Sequence, residues 1–320
     1  MRLARATMSA LALSMAFSAG GVIAQDYPTK PIRMISGSAS GGTDFAARLI
    51  ATGLSTSLGQ PVVVENRASG IVVRDAVIKA PPDGHTVMFY ASSIWLLPFL
   101  QSDVVFDPLS DFAPIALIAG APTILVVHPS VPVSSVKELI AYAKANPGKL
   151  NYSSGNAGNA PHLAAELFKS MAGVDIVRVP YKGGGPAVAA VVAGEVQVSF
   201  ATAGAGVNFV KSGRLKALGV TSAKASALFP GLAPVAASGL PGYVAVSTYG
   251  MLAAAKVTPA IINRLNQEIG KIIVQPGVRD KFIASGLEVI GGSPEDFKAV
   301  ISADMAGMGR VIKAAGITSD

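Results

Sequence analysis

The 320-residue chain is 51% hydrophobic and 14% charged, contains no cysteine and carries a formal charge of +7. That length accommodates two domains of about 150 residues each, every one large enough to bury its own core. The lack of cysteine excludes disulfides, thiolate metal sites and a cysteine nucleophile, and Lys and Arg residues scattered singly rather than in runs argue against nucleic acid as a partner.

At the start of the chain Arg2 and Arg5 form a basic segment, residues 8–17 an apolar one, and Val22-Ile23-Ala24 a small-residue cleavage site. Together they read as a signal peptide over residues 1–24. The apolar stretch is shorter than the roughly 20 residues that a bilayer-spanning helix needs. The mature chain is therefore expected to begin at Gln25 and to reside in the periplasm, without a lipid anchor because no cysteine follows the cleavage site. Mean hydropathy is +0.50. Beyond residue 24, however, no stretch of about 18 apolar residues runs without Gly, Pro or charge, so the apolarity is assigned to buried parallel strands.

Short β-branched runs alternate with longer amphipathic segments. Strands are predicted at 32–35, 62–64, 86–90, 115–118, 124–127, 176–180, 196–200 and 217–220. Helices are predicted at 45–57, 136–145, 162–171, 187–193, 259–273, 276–285 and 294–315. This is α/β alternation. Ser134 and Ser135 are placed to cap one helix, and Pro259, Pro276 and Pro294 open three others. Extended, Gly/Pro-flanked segments at 123–129 and 243–252 read as two crossings between lobes. The first lobe is then discontinuous, 25–125 plus 247–320, with 126–246 as the second.

Three times a strand-like run passes through a Gly- and hydroxyl-rich loop into a helix. The loops are Gly37-Ser38-Ala39-Ser40-Gly41-Gly42-Thr43-Asp44, Ser153-Ser154-Gly155-Asn156-Ala157-Gly158-Asn159 and Tyr181-Lys182-Gly183-Gly184-Gly185-Pro186. Helix starts carry free N–H donors and the positive end of the helix dipole, a combination that holds carboxylates or phosphates. At Gly41-Gly42-Thr43-Asp44 an ordinary strand-to-helix turn with a good N-cap explains the pattern equally well. Nothing local asks for catalysis: no Gly-x-Ser-x-Gly elbow, Walker loop or dinucleotide fingerprint occurs, and His85, His128 and His162 are far apart without carboxylates at ligand spacing. No metal or cofactor is expected.

Several segments are similar to a known family. Asp26-Tyr27-Pro28-Thr29-Lys30-Pro31-Ile32-Arg33, Gly41-Gly42-Thr43-Asp44, Leu58 to Arg67, Pro82 to Thr86, Pro161-His162-Leu163, Val179 to Gly183 and Ala217 to Ser222 resemble the periplasmic solute-binding proteins of tripartite tricarboxylate transporters, the Bug family. The resemblance implies an α/β, two-lobed Venus-flytrap fold of class II type with a mixed or parallel sheet in each lobe. It also implies a chain that captures a small organic carboxylate, hands it to membrane permease subunits and is no enzyme. The implied ligand-binding set runs from Ser38, Ala39, Ser40, Gly41, Gly42, Thr43 and Asp44 through Ser92 and Ser93. It continues with Ser154, Gly155, Asn156, Asn159 and His162, then Tyr181, Lys182 and Gly183, and finally Ala201 and Thr202. A monomer is expected. A sensing role, or an enzyme of similar shape, is the alternative.

The chain departs from the family's pattern where Ala68 to Arg74 replaces a Gly-rich turn, where Gln197 and Ala201 replace acidic residues, and where Gly37-Ser38 replaces a Pro-Phe pair. Read as cleft positions, these changes predict an aromatic or otherwise apolar mono- or dicarboxylate ligand. Several site residues also have plainer roles: Asp44 as a loop brace, Ser92 and Ser93 as caps, Lys182 as a solvated surface charge, His162 in packing, and the single tryptophan, Trp95, buried against the sheet.

Overall fold

In each lobe three short parallel strands are each followed directly by a helix. The computed structural model describes residues 27–319 except 38, 40, 41 and 68, so the expected signal peptide and Gln25 lie outside the described residues. β1 (Ile32–Ser36) leads into α1 (Gly42–Leu58), β2 (Val62–Asn66) into α2 (Gly70–Ile78), and β3 (Thr86–Ala91) into α3 (Ser93–Leu100). β1 lies between β2 and β3, parallel to both, with Ile32 opposite Val62 and Arg33 opposite Thr86. Helices cover both faces of such a strand, so Ile32, Met34 and Ile35 are all fully buried.

After α4 (Pro108–Asp111), β4 (Phe112–Val127) and α5 (Val136–Ala145), the second lobe repeats the plan. β5 (Leu150–Ser154) precedes α6 (Ala160–Ala172), β6 (Ile176–Pro180) precedes α7 (Gly184–Val192), and β7 (Val198–Thr202) precedes α8 (Ala203–Lys211). β5 is again the central parallel strand, between β6 and β7. β8 (Lys216–Val220) completes this lobe. The chain then returns through β9 (Val246–Ala254), α9 (Pro259–Ile273), α10 (Pro276–Ala284), β10 (Glu288–Val289) and α11 (Pro294–Ala314).

The strands predicted at 115–118 and 124–127 are one strand, β4. Its first part pairs antiparallel with β9 and β10, its second with β7 and β8. Pairing with β9 ends at Pro122, opposite Val246, and pairing with β7 begins at Thr123, opposite Thr202. Pro122, which has no N–H to donate, thus stands where the strand changes partners and does not break it. The segment expected as a second crossing contains a full strand, β9. Strand β5 and the short helix α4 were not predicted, and neither were helices α2, α3 and α8. Their apolar, Gly- or Pro-containing stretches show weak helical periodicity, and tertiary packing decides them.

The two lobes touch through α6. Leu163 on α6 is buried in a cluster that includes Trp95, Leu96 and Leu100 of the first lobe, and a methyl group on Gly158 would lie 2.9 Å from the Leu100 side chain. Trp95 is buried as expected, edge-on to Phe297 with ring centroids 5.5 Å apart. Among the described residues no helix is long and apolar enough to cross a membrane.

Candidate functional site

Parallel strands within one lobe end on the same edge, so the helix starts that follow them share that edge. This is where ligands of open α/β sheets collect. In the first lobe the starts of α1, α2 and α3 gather at the ends of β1, β2 and β3. Asn66, the last residue of β2, ties the loop after β1: its side-chain amide donates to the Gly37 carbonyl at 2.7 Å and to Asp44 Oδ1 at 2.8 Å. Arg48 completes the brace, its Nε 3.0 Å from Asp44 Oδ1 and its Nη2 donating to Asn66 Oδ1 at 2.8 Å. Asp44 is buried in this network and acts as the expected loop brace. Gly42 is exposed, Thr43 half-buried and Ala39 exposed. Ser38, Ser40 and Gly41 lie outside the described residues.

Two tyrosines that the sequence reading did not single out wall this loop. A methyl group on Gly37 would meet the Tyr90 ring at 3.4 Å, one on Gly70 would come within 3.7 Å of the Tyr90 hydroxyl, and one on Gly42 within 4.0 Å of the Tyr249 hydroxyl. Tyr90 and Tyr249 thus stand beside the starts of α1 and α2. Burial raises the pKa of both phenols, while a hydrogen bond from Ser247 offsets part of the shift at Tyr249. Both are therefore neutral donors at physiological pH.

In the second lobe the loops after β5 and β6 are pressed together. The Tyr181 amide donates to the Ser154 carbonyl at 2.8 Å. A methyl group on Gly155 would fall 2.6 Å from Asn159 Nδ2 and 3.2 Å from the Gly183 backbone, so only glycine allows this approach. Asn159 caps α6 by accepting from the His162 amide at 2.9 Å. Ser154 and Gly155 are held from behind by Arg178, whose Nε donates to Ser154 Oγ and whose Nη2 donates to the Gly155 carbonyl, both at 2.8 Å. Asn156 is exposed and Tyr181 half-buried. Gly183 has φ 105° and precedes α7. Thr202 is exposed at the start of α8, with no side-chain cap bond.

The other predicted residues stand apart from these loops or use their side chains differently. Ser92 is buried and lines a small interlobe cavity with Ala160, Leu163 and Asp304, while Ser93 is exposed. Lys182 is exposed. His162 lines a different, polar cavity together with Glu166, Lys169 and Arg178. Ala201 is buried among Ile124, Val191 and Val220, and a methyl group on Gly206 of α8 would press on it at 2.7 Å. Gln197 stands at the other end of β7, where its Oε1 accepts from the Asn151 amide at 3.0 Å. Val73 is fully buried, Ile71 is packed partly against the same core, and Val72 is exposed. The departures at Gln197, Ala201 and Val73 are therefore structural substitutions, which removes most of the basis for expecting an apolar ligand. Among the described residues no group of three or more His, Asp or Glu could hold a metal.

The profile of the tripartite tricarboxylate transporter family receptor matches residues 46–317. The chain belongs to this family. Protein BugT of Bordetella pertussis is 34% identical over 93% of both chains. A protein encoded between tcbD and tcbE in Pseudomonas sp. strain P51 is 35% identical over 91% of this chain and 88% of its own. Among solved structures, R. palustris Rpa4515 with adipate is 34% identical, covers 92% of this chain and 99% of its own, and superposes with a TM-score of 0.71. A ligand-free TctC solute-binding protein from Polaromonas is 25% identical over 90% of this chain and 99% of its own, with a TM-score of 0.83. The family's members are solute-binding proteins with the two-lobed periplasmic binding-protein fold, and this chain shares that fold.

Proposed function

We propose that this chain captures a small organic carboxylate between its two lobes, without altering it, and delivers it to the family's membrane permease. The observation that carries the reading is the pair of braced helix-start clusters, α1 with α2 beside Tyr90 and Tyr249, and α6 with α7 across the Gly155–Gly183 contact. Each presents backbone donors and dipole ends to an anion. In this reading the carboxylate is held by the loop from residue 38 to Asp44, by Ser154 to Asn159, and by Tyr181 to Gly183, with Thr202 at the margin. The lobes are 25–125 plus 247–320 and 126–246, joined where β4 changes partners at Pro122 and Thr123 and where the chain enters β9. Residues 1–24 direct export to the periplasm.

The described arrangement resembles the ligand-free relative more than the adipate-bound one, despite lower identity to it (TM-score 0.83 at 25% against 0.71 at 34%). This supports an open, receiving state. Adipate, bound by the relative, is a candidate ligand. A thermal-shift screen over aliphatic, hydroxy and aromatic carboxylates tests the reading, because a ligand at 100 times its Kd adds about 2.7 kcal/mol to stability. A flat response across the whole panel, or turnover of a binder seen by mass spectrometry, would refute it.

A further inference from the structure

Behind the loop after β5, on the flank where α6 and β6 meet the chain following α11, lies a polar cavity of about 480 Å³. Its walls come from both lobes: Ala157, His162, Glu166, Lys169 and Arg178 on one side and the segment around Ile317 and Thr318 on the other. The charges on these walls do not balance. Glu166 is paired with Lys169, its Oε1 accepting from Lys169 Nζ at 2.8 Å and from Tyr152 Oη at 2.5 Å. Among the described residues Arg178 has no carboxylate partner: its side chain donates to Ser154 Oγ and the Gly155 carbonyl, both neutral. A half-buried guanidinium without a counter-ion is costly unless an anion joins it, and its planar fork suits two-oxygen acceptors.

His162 supplies a second donor to the same space. His162 is 4% exposed, and its Nδ1 accepts from the Gly158 amide at 3.0 Å. The neutral ring therefore carries its proton on Nε2, which has no partner among the described residues and belongs to a residue that lines the cavity. A fixed neutral donor beside an uncompensated guanidinium, in a space large enough for a small molecule, has the composition of an oxyanion site.

We propose that this cavity is a second site, separate from the helix-start clusters, that binds the carboxylate of a small organic acid through Arg178 and the His162 Nε2–H. Because Arg178 also holds Ser154 and Gly155, an anion here bears on the loop of the first site. Because the walls belong to both lobes, it also bridges them along their flank.

The chain has 3 histidines, so the ring ¹H–¹⁵N signals of His162 can be followed individually, with His162→Gln giving the assignment. The probes are sodium acetate and, in parallel, sodium sulfate, each titrated into the full chain at ionic strength held constant with chloride. A saturable shift of the His162 ring signals is expected with acetate, and at least tenfold weaker binding with sulfate. Thr318→Glu, at an exposed position lining the cavity, places a tethered carboxylate there and should weaken acetate binding at least tenfold. Arg178→Gln should do the same by removing the cation. A linear, non-saturating response, or an isotherm unchanged in both variants, would overturn the site, and sulfate binding as tight as acetate would overturn its assignment to carboxylates.

Discussion

Asn66 and Asp44, 22 residues apart in sequence, are joined by a 2.8 Å hydrogen bond from the Asn66 amide to the buried Asp44 carboxylate. The same amide group reaches the Gly37 carbonyl, so one side chain holds both ends of the loop between β1 and α1. Asn66→Ala is expected to cost about 1–3 kcal/mol by leaving a buried acceptor under-bonded. It is also expected to weaken carboxylate binding more than its effect on global stability explains. Chemical denaturation and calorimetry on the same variant check the two effects, and unchanged affinity would show that the loop keeps its shape without this tie.

Gly155 sets the spacing of the second-lobe loops. A methyl group there collides with Asn159 Nδ2 at 2.6 Å and crowds the Gly183 backbone at 3.2 Å, and backbone cannot swing aside as a flexible side chain can. Gly155→Ala should therefore push the loops after β5 and β6 apart and lower ligand affinity at least tenfold, about 1.4 kcal/mol. Equal affinity in the variant would mean that the two loops do not act together on the ligand.

Part of the candidate site is legible from spacing alone. The three loops are visible because Gly and Ser cluster where a β-branched run stops, and Asp44 reads as a brace because a carboxylate would repel an anionic ligand. Its donors were not legible. Asn66 lies on another strand, and Arg48 is one turn along α1. Tyr90 and Tyr249 were missed for the same reason, since each sits mid-pattern in an apolar strand and only the sheet order β1-β3-β9 brings them to the loop. Gln197 and Ala201 misled in the opposite direction. A position in β7 alternates between faces, and its distance from the strand's end decides whether it meets ligand. Gln197 precedes Thr202 by five residues, roughly 16 Å along a strand, and Ala201 points into the core.

Asp304 and His162 titrate in one pH window with opposite effects. Burial raises the Asp304 carboxyl from 3.8 to about 6, opposed by the Trp95 indole N–H that donates to it at 3.0 Å. The native state thus holds a proton that the unfolded chain has released, and stability present below about pH 4 is lost as pH rises to about 6. Burial, with Arg178 nearby, lowers His162 from 6.5 to about 4. Its contribution is present above about pH 6.5 and is lost as pH falls through 4. The two slopes oppose each other between pH 4 and 6. Asp304→Asn should remove one of them, so that the variant gains stability relative to the parent as pH rises from 4 to 7, by at most about 3 kcal/mol. Melting temperatures of both proteins across that range check this, and parallel curves would show that Asp304 keeps an ordinary carboxylate pKa.

Tyr249 offers the sharpest test of how the first lobe recognises its ligand. Its hydroxyl stands 4.0 Å from where a methyl group on Gly42 would lie, at the first residue of α1. Burial raises its pKa, an effect that the neighbouring Ser247 hydroxyl partly offsets. Burial keeps the phenol protonated, so at neutral pH its hydroxyl is able to donate to a carboxylate held at the helix start. Tyr249→Phe deletes that donor and leaves the ring in its packing against Phe89, whose centroid is 6.5 Å away. A neutral donor to a charged acceptor contributes about 1.5–3 kcal/mol, so the variant should bind the carboxylate identified in the thermal-shift screen at least tenfold more weakly while melting within a few degrees of the parent. Unchanged affinity for that carboxylate in a folded Tyr249→Phe protein would place it away from α1 and shift the recognition to Tyr90 and the start of α2.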